Sequence, residues 1–213
     1  MKINERRSIW NRFSGRLDDM VFYTYRGMAC ARMIPTEVKA PSAPGQLAQQ
    51  ERMASLAIFY QALKEAGIYA YWQQASEGMV WNGYNLLVKM NLPAFDGEGK
   101  IADFSKLRLT WGAVALPDRM ALQQEKGLEW RLTWENTPLL PNARPDDRLM
   151  LFLMKDSETF SVEALETGGA CRRDRQAVFR IPEEIREFPH LYAAFRTRTG
   201  EKSSVSGYYH LIY

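Results

Sequence analysis

The chain has 213 residues, enough for one large domain or two small ones with a substantial hydrophobic core. Hydrophobic residues make up 46% and charged residues 25%, the balance of an ordinary globular protein, and no run of about 18 apolar residues exists to span a membrane as a helix. The net charge of +3 is uneven: residues 1–52 hold nine Lys/Arg against five Asp/Glu, and the remainder nineteen against twenty, a bias too weak by itself to argue nucleic-acid binding.

The first sixteen residues, MKINERRSIWNRFSGR, carry basic side chains but no apolar core of a secretory signal. The expected location is therefore the cytoplasm, or a particle assembled there. Cys30 and Cys171 are too few for a disulfide framework or a zinc site and are expected to be buried free thiols.

In chain order, Arg6, Arg7, Trp10, Arg12, Phe13 and Arg16 alternate basic and aromatic character. Such an arm docks Trp and Phe on a neighbouring apolar surface; the alternative is stacking on bases and lying along phosphates. MVFYTY at 20–25 and MACARMI at 28–34 are β-prone and joined by Arg26-Gly27, which predicts a β-hairpin. Pro35, Pro41 and Pro44 then space an extended, stiff crossing, and Pro44 suits the first turn of a helix. Leu47, Met53, Leu56, Tyr60 and Leu63 recur at helical spacing, predicting a helix over 46–66, ended by Gly67. Shorter helices are predicted over 69–75 and 82–90, the last capped by Asn82. FDGEGK at 95–100 reads as a loop and a candidate boundary.

Beyond Ser105 the helical period disappears. Strands are predicted over 106–114, 128–135, 148–155, 160–165, 177–181, 191–198 and 205–213. The clearest is the alternation of Leu128, Trp130, Leu132 and Trp134 with charged or polar neighbours. The fold class expected is α+β: an N-terminal β-hairpin and helical segment over 1–104, followed over 105–213 by an all-β immunoglobulin- or fibronectin-III-like sandwich. LMLFLM at 149–154 is apolar on both faces. It is either a central strand covered by the helical part or a strand with a sticky outer face.

The N-terminal half also carries a specific pattern: Ser14, Gly15, Arg16, Val21, Tyr23, Arg26, Gly27, Arg32, Pro35, Pro41, Pro44, Gln46, Gln49 and Arg52, then Gly83, Tyr84, Asn85 and Asn91. This resembles a widespread uncharacterised bacterial family of about this length. Similar segments occur in hypothetical proteins of bacteriophages and prophages. The resemblance implies no established activity and no cofactor.

The common catalytic signatures are missing from the sequence: no GxSxG, P-loop, GxGxxG or HExxH. His190 and His210 are the only histidines, each expected on a strand surface or interface near the C-terminus. A metal pair across the last two strands is the alternative, without an evident third ligand. Gly168-Gly169 before Ala170-Cys171-Arg172-Arg173 reads as a turn with a basic flank in preference to a phosphate nest.

The expectation is therefore a non-enzymatic structural or interaction protein without cofactor or metal. It would assemble through its N-terminal hairpin with a protein partner or with copies of itself, as in a phage- or tail-like particle. The interaction residues are Trp10, Arg12, Arg16, Tyr23, Tyr25, Arg26, Gly27 and Arg32. The alternatives are a nucleic-acid-binding module using the basic-aromatic arm, and carbohydrate binding by aromatic residues on the sandwich, which would need Trp111, Trp130 and Trp134 exposed.

Overall fold

In the computed structural model the described residues are 14–25, 27–37, 40, 42–136, 140, 142–155 and 160–212. The chain divides into two compact units, Met1–Ser42 and Ala43–Tyr213. Residue 105, where the sequence suggests a boundary, lies inside the second.

The described residues of the first unit form a three-stranded antiparallel sheet of β1 (Gly15–Leu17), β2 (Met20–Tyr25) and β3 (Met28–Met33), in that order. The hairpin expected over 20–34 is present, and β1 adds a third strand to it. Asp18-Asp19 makes the tight β1–β2 connection, with Asp18 at φ 50°, a conformation that Asp tolerates better than most residues.

In the second unit, α1 (Pro44–Glu65) opens on Pro44 and buries Leu56, Phe59 and Leu63. It is followed by α2 (Tyr69–Ala75) and α3 (Gly83–Asn91). Asn82 caps α3 by accepting a hydrogen bond from the Asn85 amide at 2.7 Å. Gly83 rests on the backbone of α2: a Cβ there would stand 2.9 Å from Gln73 N, so any larger residue would force the two helices apart. The 95–101 stretch is a tight turn pinned to α1, with Arg52 donating to the Asp96 carbonyl at 2.9 Å.

Seven strands follow among the described residues, one of them displaced from expectation. The 106–114 segment alternates like a strand and buries Leu107 and Leu109, yet forms no ladder. Its polar groups are met by others: Asn91 accepts from the Arg108 amide (2.6 Å), Ser206 Oγ from the Leu109 amide (2.9 Å), and Ser203 O from the Val114 amide (3.0 Å). The strand that takes its place is β4 (Asp118–Lys126). Then come β5 (Glu129–Glu135), β6 (Arg148–Met154), β7 (Val162–Leu165), β8 (Gln176–Arg180), β9 (His190–Arg196) and β10 (Gly207–His210). They form two antiparallel sheets, β4-β5-β8 and β10-β9-β6-β7.

Side-chain alternation on β6 and β9 creates two cores. Leu149, Leu151, Leu153, Leu191, Ala193 and Phe195 meet Trp130, Leu132, Trp134, Ala177 and Phe179 of the three-stranded sheet. Met150, Phe152, Met154, Tyr192 and Ala194 face the other way and pack against Phe59, Leu63, Trp72 and Leu87 of the helices. The 43–213 unit therefore has three layers: helices, a four-stranded sheet and a three-stranded sheet. The apolar run at 149–154 is the central strand of that arrangement, not a sticky edge.

Trp130 and Trp134 lie between the sheets, and Trp111 stacks on Trp72 with centroids 6.4 Å apart. These three indoles do not form the exposed platform that sugar binding would use.

One end of the inter-sheet core holds an ion pair removed from water. Arg172 is 4% exposed and Asp147 1%, with Nε and Oδ2 3.2 Å apart. Arg172 also donates to the Ala115 carbonyl and lies over the Phe195 ring at 4.7 Å. Its own carbonyl accepts from Trp134 Nε1 and Asn136 Nδ2, each at 2.8 Å. Burial lowers the Arg172 pKa, and Asp147 opposes that shift.

Candidate functional site

The residues singled out in sequence fall on the first unit. Trp10, Arg12 and Arg26 lie outside the described residues. In the antiparallel ladder Arg16 stands opposite Val21, Val21 opposite Arg32, Tyr23 opposite Cys30, and Tyr25 opposite Met28. Directly opposed residues share a face and the faces alternate along each strand. Arg16, Tyr23, Tyr25 and Arg32 are therefore brought together on one face, with Val21, Met28 and Cys30 between them. Gly27 stands at the β2–β3 turn with φ 81°, where a side chain would be strained. Arg16 Nε donates to the Asp18 carbonyl at 2.9 Å, which ties the β1–β2 turn.

The opposite face carries Leu17, Met20, Phe22, Ala29, Ala31 and Met33. Leu17 and Met33 are each 70% exposed, and no described residue of 14–42 is buried. This apolar face was missed in the sequence reading. Leu17 joins Met20 on this face only because the chain turns at Asp18-Asp19, which local alternation does not announce.

The edge of β3 is also unoccupied. Among the described residues β3 pairs only with β2. The Ile34 amide donates to Asp19 O at 2.7 Å, which fixes the phase of the ladder: Met28, Cys30 and Arg32 turn their backbone groups to β2. Ala29, Ala31 and Met33 turn theirs outward.

His190 and His210 are directly opposed on β9 and β10. The expectation of surface histidines fails for His190, which is 4% exposed and stacked on Phe104 with centroids 3.5 Å apart. A short 3-10 turn, Phe104–Lys106, supplies that cover, which no strand pattern announces. The Tyr208 hydroxyl lies 3.0 Å from His190 Nδ1 and 3.4 Å from His210 Nδ1. A phenol has one proton to donate, so one of the two rings must present Nδ1–H. Among the described residues no three His, Cys, Asp or Glu side chains gather into a metal-binding group.

Cys30 and Cys171 are partly exposed free thiols, not buried ones: one lies on the two-sided open sheet and the other on a loop. Thr167–Ala170 is a turn closed by a 3.1 Å backbone hydrogen bond, with Gly168 and Gly169 both at positive φ, as a type I′ turn requires. The flanking Arg172 points into the core instead of toward a phosphate.

Tyr209 faces the inter-sheet core, and burial pushes its hydroxyl up to about 12 from the ordinary 10.0. The unfolded chain therefore loses this proton first, and stability falls as pH rises from about 10 through 12. Chemical denaturation across that window should show the loss, and Tyr209→Phe should make it shallower, the remainder coming from the more deeply buried Tyr192 hydroxyl, also raised by burial. An equally steep profile in the variant would assign the loss to other groups.

Taken together, the chain is a mixed helix-and-sheet protein with several antiparallel sheets; among the described residues there is no closed barrel, and the N-terminal sheet buries no residue. It belongs to a family of unknown function, DUF6266, whose family model matches residues 12–210. Comparison with curated proteins and with solved structures gave no match. No helix among the described residues is long and apolar enough to cross a membrane.

Proposed function

We propose that this is a non-enzymatic structural or interaction protein that assembles through its N-terminal sheet, with a second copy of the chain as the occupant. The observation that carries this reading is the sheet itself: three strands, two open faces and no buried residue among those described. Such a sheet is stable in water only when an apolar face is covered. The free β3 edge offers main-chain groups for strand addition.

Self-pairing has a preferred register. A two-fold axis at Cys30 keeps each face continuous and sets Cys30 opposite its symmetry mate in a non-hydrogen-bonded pair. It also places the two Arg32 side chains four residues apart along the ladder, about 13 Å. An axis at Ala31 would bring the two arginines diagonally together, which like charges disfavour.

The larger unit supports a finer description. Of its seven strands, the first, second and fifth form one sheet and the third, fourth, sixth and seventh the other. The two faces share one core, which favours an immunoglobulin- or fibronectin-III-like sandwich carrying the assembling sheet. The resemblance to phage and prophage sequences makes a component of a phage- or tail-like particle, built in the cytoplasm, the specific form of the proposal.

Ala31→Pro tests it. The Ala31 amide faces away from β2, so proline removes an outward donor and spares the hairpin ladder. Light scattering after size exclusion should show a dimer or larger species for the wild type and a monomer for the variant. In the wild-type assembly mild oxidation should cross-link Cys30, since facing Cα atoms in such a pair lie about 4.5 Å apart. A wild-type monomer at high concentration, or an unchanged oligomer in Ala31→Pro, would sink the proposal.

The second reading is nucleic-acid binding, favoured by the gathering of Arg16, Arg32, Tyr23 and Tyr25 on one face. It predicts binding that weakens on the order of 10³-fold between about 50 and 200 mM salt, if about six phosphates are contacted.

A further inference from the structure

Rows of side chains cross the helix-facing side of the four-stranded sheet. Most are apolar: Tyr192 opposes Phe152, and Ala194 opposes Met150. The row that ends the sheet is different. Arg148 of β6 and Arg196 of β9 are directly opposed on the same face. Directly opposed like charges destabilise an antiparallel pair. Neither guanidinium makes an ion pair or a side-chain hydrogen bond with a described residue.

Both arginines line an open cleft of about 540 Å³ between the α1–α2 corner and the sheet. Its apolar wall is the half-buried Tyr71, backed by the buried Ile68 and Met150. The Gly168-Gly169 turn closes one side. Glu166, just past the end of β7, is the one acidic residue in the described lining of the cleft, and it forms no ion pair with either arginine. The lining of the cleft is therefore net positive, with both arginines on one face of the sheet and Tyr71 beside them.

We propose that this cleft binds an organic anion, its carboxylate or phosphate head held by Arg148 and Arg196 and its apolar body lying on Tyr71. Guanidinium forks suit planar bidentate recognition of such heads, and two of them can grip one group from two sides. An anion held by both would also offset the like charge of the row. The site lies wholly within the 43–213 unit and is independent of assembly through the N-terminal sheet.

The test is thermal unfolding of the full chain in sodium phosphate and in sodium chloride at matched ionic strength, with phenyl phosphate as the amphipathic probe. The wild type should show a saturable rise in Tm with phosphate. Phenyl phosphate should reach the same rise at roughly tenfold lower concentration, because its ring adds apolar burial. Arg148→Gln and Arg196→Gln should each lose the response while melting in chloride at the wild-type temperature or above it, since each relieves the like-charge pair. A phosphate response that survives both substitutions, or no response in the wild type, overturns the proposal. A response to phosphate without the phenyl advantage would confirm the head site and overturn the apolar body. A variant that melts well below wild type in chloride would show that the arginine row supports the fold, and would likewise count against a site held open for a ligand.

Discussion

Asp147→Ala is expected to destabilise the protein by about 3–5 kcal/mol, read as a lower denaturant midpoint at unchanged slope. Asp147 and Arg172 are both almost fully removed from solvent. Removing the carboxylate strands a guanidinium that the core cannot hydrate. The substitution also frees the Arg144 amide, which donates to Asp147 Oδ2 at 2.8 Å. The pair itself is not expected to be worth that much. Asp147 Oδ1 and Arg172 Nη1 have no hydrogen-bond partner among the described residues, so desolvation of the two charges is incompletely offset. The double replacement Asp147→Leu with Arg172→Met should therefore recover most of the loss, because two apolar groups of similar volume leave no uncompensated charge. A single-site loss below about 1 kcal/mol would mean that water reaches Arg172.

Phe152→Ala is the second large effect, about 3–5 kcal/mol, and Leu151→Ala should cost about 2–5 kcal/mol beside it. The two residues are neighbours in sequence and point into different cores. Phe152 packs in the helix-facing core, and Leu151 in the core between the sheets. In an ordinary two-layer sandwich one of two adjacent strand residues faces water and tolerates truncation. Here both should be costly, and the two losses should add to within about 0.5 kcal/mol if the cores are independent. Equilibrium unfolding of the two single variants and the double variant measures this. A near-neutral Phe152→Ala would show that the helices do not cover the sheet.

How far the sequence reached depends on where local preference and tertiary demand agree. The three helices were legible because Pro44, Gly67 and Asn82 mark their ends, and Leu56 and Leu63 keep the period. β5 was legible because every second residue is buried. β4 was not: DRMALQQEK is rich in residues that strands disfavour, and only Met120 and Leu122 pack on the core. It is an edge strand with two register shifts, and its place is set by β5. The 106–114 segment failed in the opposite sense. Its alternation is real, but side chains of Asn91 and Ser206 meet its amides before a strand can. At the N-terminal sheet the basic-aromatic face was visible as Arg16, Tyr23, Tyr25 and Arg32. The apolar face was not, because a three-residue strand is too short for periodicity to register. The arginine row was invisible for a different reason: Arg148 and Arg196 are 48 positions apart, and only the pairing of β6 with β9 makes them neighbours.

The position of β6 also bears on how the larger unit opens. Its backbone is bonded to β7 and β9, and its side chains fill the layers above and below. Lifting the helices would expose Met150, Phe152 and Met154, and peeling off the outer sheet would expose Leu149, Leu151 and Leu153. Partial opening along either side thus forfeits burial without releasing the strand. The consequence is cooperativity: the amides of β6 have no low-energy route to solvent, and the helical and sheet segments, though unlike in sequence, behave as a single folding unit.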